Sequence, residues 1–165
     1  MDLMITFLKN FSILVFVIFV LGVYNSVPED VAFGIDAIGK MDKSHFFYAM
    51  AAFVILINLF LTIFVKYFNA IPAQKFQMPQ REFWLENDES RLAFFYVIQS
   101  WAYSLMAAFN ALICLILFKV YKINDLAGIS GINLLPYLLL IVVVVVAWII
   151  FILRRFHIQK YSIWD

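Results

Sequence analysis

The sequence predicts an all-α integral membrane protein, built as a bundle of four transmembrane helices. Apolar residues make up 65% of its 165 residues and aromatic residues 19%, well above the levels typical of soluble domains. Four apolar runs each reach the roughly 20 residues that a helix needs to cross a bilayer. We therefore expect a single four-span domain over residues 1–165, with spans at about 4–24, 46–67, 92–118 and 134–153.

The first apolar run is interpreted as a retained anchor and not as a cleaved leader peptide. Asp2 stands at its start, Lys9 is its only early cation, and no small-x-small cleavage triplet precedes Asn25. The third run is the longest, so we expect that helix to tilt or to protrude from the bilayer.

Lysine and arginine are distributed unevenly between the two sides that these spans create. Cytoplasmic segments of membrane proteins carry the larger share of positive charge. We therefore expect both termini and the central connection to be cytoplasmic, and the first loop to face outward and to have structure of its own. Eight cations lie on the expected cytoplasmic side and four on the other: Lys9, Lys66, Lys75, Arg81, Arg91, Arg154, Arg155 and Lys160 against Lys40, Lys43, Lys119 and Lys122.

The third span is expected to be the packing centre of the bundle. At helical spacing it carries small and polar residues, a pattern that lets helix backbones approach closely in membranes, and the second span offers a polar complement. Polar amides at this depth favour hydrogen bonds between helices over a polar path or ligand site, because none is ionisable. The predicted packing residues are Asn58, Thr62, Gln99, Ser100, Ser104, Ala107, Ala108, Asn110 and Ala111.

The fourth span, LLLIVVVVVAWII, has no polar side-chain atom apart from the Trp148 indole nitrogen. This composition suits a position that faces lipid or a partner protein. Aromatic side chains contribute much of the binding energy in protein interfaces. We therefore predict that Trp84, Trp148 and Trp164 dock partner subunits.

The second connection contains KFQMPQREFWLENDESR, a pattern typical of a short helix lying at the membrane interface. Pro79 is placed to start such a helix, and the apolar cluster that includes Trp84 would sit at the level of the lipid headgroups. Asn87 or Asp88 can cap the third span. We interpret the segment as an anchor and cap, with a partner-docking site as the alternative.

The sequence gives no candidate catalytic, cofactor or metal site. His45 and His157 are expected at opposite membrane faces, and Cys114 is the single cysteine, so a haem, zinc or disulfide site has no partners. Asp36 and Asp42 lack the alternating oxygen ligands of a calcium loop. Phosphate-binding glycine motifs do not occur, and a net charge of +1 excludes nucleic-acid binding by charge.

Two loop elements resemble small bacterial membrane proteins of the SdpI type. Relatives carry a Pro, Val-Ala, Gly, Asp pattern after the first span, and a Pro-Asn-Lys-x-Tyr-Trp-Leu element followed by Arg after the second. The resemblance covers roughly residues 10–120, and Phe33 and Gly34 stand where many relatives have histidine. The matching residues are Pro28, Glu29, Val31, Ala32, Gly34, Gly39 and Asp42, then Pro79, Gln80, Arg81, Phe83, Trp84, Leu85 and Arg91.

The resemblance implies a binding protein of the bacterial inner membrane and not an enzyme. Some members protect their host from a membrane-active peptide, and some hold a repressor at the membrane. Our leading interpretation is an accessory subunit of a larger inner-membrane assembly, with the lipid bilayer and other membrane subunits as partners and no cofactor. The alternatives are an immunity or signal-receptor protein of the SdpI type, and a small transporter.

Overall fold

The structure is a computed structural model that describes residues 3–33, 39–68, 70–72, 75, 77, 80–125 and 135–157. Within these residues the chain is mostly helical, in agreement with the predicted class. The elements in chain order are α1 (Leu3–Ser26), β1 (Asp30–Phe33), β2 (Gly39–Asp42), α2 (Lys43–Phe68), α3 (Arg81–Leu85), α4 (Asp88–Asp125) and α5 (Leu135–His157).

In the described part of the chain, three helices are long and apolar enough to cross a membrane: α1, α2 and α4. The side chains described for α5 support a shorter apolar stretch, Leu139–Arg154. Each of the four helices extends beyond the predicted span, because polar end residues continue the helix outside the hydrophobic window. The chain is thus a membrane protein by helix length and composition.

A two-stranded antiparallel hairpin connects α1 to α2, so the prediction of an all-α protein is corrected at this loop. β1 and β2 pair with Val31 opposite Met41 and Ala32 opposite Lys40. Each strand has only four residues, which is too short for an alternating apolar pattern to be recognised in the sequence.

Helix α4 is the element around which the others assemble. Its 38 residues extend over about 57 Å, nearly twice the ~30 Å hydrocarbon thickness of a bilayer. It contacts α1, α2, α3, α5 and β1. A helix of this length can pack other helices along its middle and a separate small structure at each end.

Two clusters of buried apolar side chains lie at the two ends of α4. The hairpin-end core joins α1, α2, α4 and β1, and the α3-end core joins α3, α4 and α5. The hairpin-end core consists of Phe16, Val23, Val27, Val31, Phe47, Val54, Ile113, Leu117 and Val120, and the α3-end core consists of Trp84, Phe94, Ile98 and Ile152.

Candidate functional site

Three polar side chains meet between α1, α2 and α4, and we call Ser12, Asn58 and Asn110 the interhelical polar cluster. The Asn58 Nδ2 group donates to Asn110 Oδ1 at 2.8 Å, and Asn110 Nδ2 donates to Ser12 Oγ at 3.0 Å. Asn110 Nδ2 also lies 3.4 Å from Asn58 Oδ1. Asn110 is only 1% exposed, so the cluster replaces solvation that the amide has lost.

The hydrogen bonds of this cluster are satisfied inside the protein. The second hydrogen of Asn58 Nδ2 goes to the Val54 carbonyl at 2.8 Å, and Ser12 Oγ donates to the Lys9 carbonyl at 2.7 Å. All four amide hydrogens of the two asparagines therefore have acceptors. This geometry favours hydrogen bonding between helices over a ligand site, as the sequence analysis expected for Asn58 and Asn110.

Most of the other predicted packing residues of α4 are buried or half-buried. Ala107 is buried, whereas Gln99, Ser100, Ser104 and Ala108 are half-buried. Ser104 Oγ donates to the Ser100 carbonyl of its own helix at 2.8 Å, a bond that joins no second helix.

Two of the packing predictions are wrong. Ala111 is exposed, and Thr62 is exposed and donates to the Asn58 carbonyl of its own helix at 2.8 Å. The predicted stripe assumed one neighbouring helix, whereas α4 has neighbours on several sides and buries residues outside that stripe, such as Met106 and Ile113. Ser12, the α1 partner, was missed, although a serine in the middle of an apolar run could have indicated it.

Asn124, near the end of α4, binds the outer edge of the hairpin. The Ala32 amide donates to Asn124 Oδ1 at 2.9 Å, and Asn124 Nδ2 donates back to the Ala32 carbonyl at 3.3 Å. The same Nδ2 donates to the Val120 carbonyl at 2.8 Å. The side-chain amide thus pairs with the backbone of β1 as a neighbouring strand would. Val31 of β1 is fully buried against α4 and its neighbours. Sequence reasoning missed Asn124.

The other end of the hairpin is joined to the start of α2. The Lys43 amide donates to the Glu29 carbonyl at 2.8 Å, and Lys43 Nζ lies 2.9 Å from Glu29 Oε1. Asp42 Oδ1 accepts the amides of Ser44 at 2.9 Å and His45 at 3.2 Å, which makes Asp42 the N-cap of α2. The hairpin is therefore held by α2 as well as by α4.

Asp42 gives a pH-dependent prediction for this junction. The amide of His45, then that of Ser44, holds the pKa of the Asp42 carboxyl below its ordinary value. Because the folded-state pKa is lowered, the ionised cap stabilises the helix start fully at pH values above the ordinary pKa. The stabilisation is lost as the pH falls through the folded-state pKa. We expect the protection of the Ser44 and His45 amides, measured as exchange relative to an unstructured peptide at the same pH, to fall in that acidic window. Asp42→Asn should remove the pH dependence, and an unchanged profile in this variant would contradict the assignment.

The other first-loop residues that carry the SdpI resemblance do not form a common site. Pro28 is exposed, Ala32 is half-buried, and Gly39 pairs through its backbone with Phe33. Gly34 and Asp36 lie outside the described residues.

In the second loop, α3 begins at Arg81 and follows Gln80, whose φ of 53° places it in the left-handed region. The predicted start at Pro79 is therefore two residues early, and Pro79 itself lies outside the described residues. Asn87 caps α4 by accepting the Ser90 amide at 2.8 Å, which confirms one of the two predicted caps. The Arg91 guanidinium lies 5.5 Å from the centre of the Phe95 ring.

The predicted docking role of Trp84 is corrected, because its side chain is only 1% exposed. Its ring packs 6.3 Å from the ring of Phe94 on α4 and 5.3 Å from that of Phe83. Phe83 and Leu85 are half-buried beside it, whereas Arg81 is exposed. The motif therefore fastens α3 to α4 and does not present an aromatic anchor to a partner.

Trp148 is half-buried on α5 and bonds within the chain, and its docking role stays a prediction. Trp101 Nε1 donates to the Trp148 carbonyl at 3.1 Å, and Trp148 Nε1 donates to the Trp101 carbonyl at 3.3 Å. These reciprocal bonds fasten α5 to α4. Trp164, the third predicted anchor, lies outside the described residues.

Comparison with known proteins adds no family to this picture. A scan against protein-family models found no match, and searches of curated proteins and of solved structures found none either. Among the described residues, no three histidine, cysteine, aspartate or glutamate side chains are grouped so that they could hold a metal ion. The candidate sites are therefore surfaces: the hairpin at one end of α4, and the exposed side of α5.

Proposed function

We propose that this chain is a non-enzymatic binding protein of the bacterial inner membrane, an accessory subunit that docks other membrane subunits through α5. In this proposal the chain crosses the membrane four times with both termini in the cytoplasm. The charge distribution between the two sides supports that orientation. Other transmembrane subunits and the bilayer are its partners.

The exposed face of α5 is the observation that carries the proposal. The helix is fastened to α4 by the Trp101 and Trp148 bonds, and a crevice of about 310 Å³ lies between it and the start of α1. Several of the exposed residues are β-branched and therefore stiff, so a partner helix can pack on them at a small cost in side-chain entropy. They include Val142, Val143, Val146, Ile149 and Ile150.

The interior of the protein supports a binding role more than a transport role. The interhelical polar cluster uses its amide hydrogens on protein acceptors, so it offers no free donor to a passing solute. The described interior thus serves to hold the helices together.

A second candidate, an immunity or receptor protein of the SdpI type, is favoured by the way the hairpin is mounted. Asn124 binds its β1 edge, and Glu29 and Asp42 join it to α2. A hairpin fixed at both sides is a preorganised surface for a peptide, which lowers the entropy cost of binding. Lys40 and Met41 are exposed on it.

Site-specific photocrosslinking in native membranes tests the leading proposal. Val143 on α5 and Ile18 on α1 are each 61% exposed, so a photoreactive residue is equally accessible to neighbouring lipids and proteins at either position. We expect position 143 to form a discrete protein adduct and position 18 to form only lipid adducts. Lipid adducts alone from both positions would overturn docking through α5.

The same cells distinguish the second candidate. Lys40→Ser combined with Met41→Ala changes the exposed hairpin surface and leaves Asn124 and Asp42 in place. If this variant loses survival under challenge with a membrane-active peptide while keeping its membrane level, the immunity role replaces the subunit role. Unchanged survival, with the protein adduct at position 143 retained, supports the accessory subunit.

A further inference from the structure

A long apolar groove runs between α1 and α2 on the surface of the protein. It has a volume of about 510 Å³, and its floor includes Met106 of α4. On α1 its lining extends from Lys9 to Leu21, and on α2 from Ala51 to Thr62. Nearly all of the lining atoms belong to apolar side chains, with Lys9 as the single cation.

The length of the groove matches one lipid chain. The stretch from Lys9 to Leu21 rises about 18 Å, close to the ~15 Å thickness of one leaflet of a bilayer. A single alkyl chain that lies along α1 within one leaflet therefore has the length of the groove.

Lys9 places a positive charge at one end of the groove. Its Nζ lies 4.3 Å from the centre of the Tyr103 ring, which holds the ammonium at that end. No carboxylate forms a salt bridge with Lys9 in the part of the chain that the structure describes. A cation within the membrane is costly unless a negative group accompanies it, and Lys9 lies two turns inside α1.

We propose that the α1–α2 groove is a binding site for an anionic phospholipid. One acyl chain lies along the groove, and the phosphate pairs with the Lys9 ammonium in the leaflet that holds the start of α1. Asn58 lines the groove, but its Nδ2 group donates both hydrogens within the protein, to Val54 and Asn110. The site therefore recognises the acyl chain by shape and the headgroup by charge. This inference does not rest on the accessory-subunit proposal.

Lipid retention by the full-length protein tests the site. The protein is placed in bilayer discs containing equal amounts of phosphatidylglycerol and phosphatidylcholine, and the lipids that stay bound after release are counted by native mass spectrometry. We expect the unaltered protein to retain one phosphatidylglycerol molecule in preference to phosphatidylcholine. If the unaltered protein retains no lipid, or retains both lipids equally, this measurement alone overturns the proposal.

Two matched pairs of variants separate the charge from the groove. Lys9→Gln should reduce the preference for phosphatidylglycerol roughly tenfold, whereas Lys66→Gln, on an exposed lysine of α2, should leave it unchanged. Ala51→Leu fills the groove and should reduce retention of both lipids, whereas Ala52→Leu, at an exposed position outside the groove lining, should not.

The outcomes against the proposal are equally specific. Equal effects of the two lysine variants would mean that Lys9 does not pair specifically with a lipid phosphate. Normal retention by Ala51→Leu would place the lipid elsewhere. A second protein molecule bound to the unaltered chain and displaced by Ala51→Leu would mean that the groove holds a polypeptide.

Discussion

Replacing Trp84 with alanine is expected to lower the free energy of unfolding by about 3–5 kcal/mol, the range for a fully buried large aromatic residue. Trp84 is 1% exposed and is the largest side chain in the α3-end core. Its ring joins α3 to Phe94 of α4, and α3 has only five residues, so it cannot hold its place as an isolated helix. Reversible unfolding in mixed detergent micelles measures the change.

Leu92→Ala is the matched control, since this apolar residue lies on the first part of α4 near the same core but is exposed. We expect it to change the free energy of unfolding by less than about 0.5 kcal/mol. Amide exchange should also rise along α3 in the Trp84 variant and stay low in the Leu92 variant. Equal losses in both variants would mean that α3 is held by the bilayer and not by α4.

The helices of this protein were predictable because a bilayer imposes a length and a composition on anything that crosses it. The apolar runs around Phe16, Val54 and Leu105 are each longer than a helix in the core of a soluble protein needs. Each run lies in a long helix of the structure. The cap at Asn87 was predictable for a similar reason, since the unsatisfied amides at a helix start select a short polar side chain.

The assignments that failed depend on contacts between residues far apart in the chain. Asn124 and Ala32 are 92 residues apart, and nothing local to either indicates that a side-chain amide completes the edge of a strand. Trp84 looks like an interface anchor in the sequence because composition does not show which tryptophan is buried within its own chain. The cap at Asp42 was missed, although an aspartate immediately before Lys43-Ser44-His45 at the start of an apolar run is a helix-start pattern.

The interhelical polar cluster leads to the second large expected effect. Asn110→Leu should lower the free energy of unfolding by about 1–2 kcal/mol, above the ~0.6 kcal/mol average for one interhelical hydrogen bond in a membrane. The larger value is expected because one substitution removes a partner from both Asn58 and Ser12. An amide left without a partner in a buried site costs more than the lost bond itself.

The double variant Asn58→Leu with Asn110→Leu separates this cost from ordinary repacking. Leucine is close to asparagine in shape, and replacing both amides leaves no unsatisfied donor between α2 and α4, so the double variant should be more stable than Asn110→Leu alone. Thr62→Val tests the specificity, because the Thr62 hydroxyl is exposed and bonds only to its own helix in the described structure. We expect this substitution to be nearly neutral. If the double variant loses the sum of the two single effects, the asparagines stabilise the helices independently, and the cluster is not the unit that joins α1, α2 and α4.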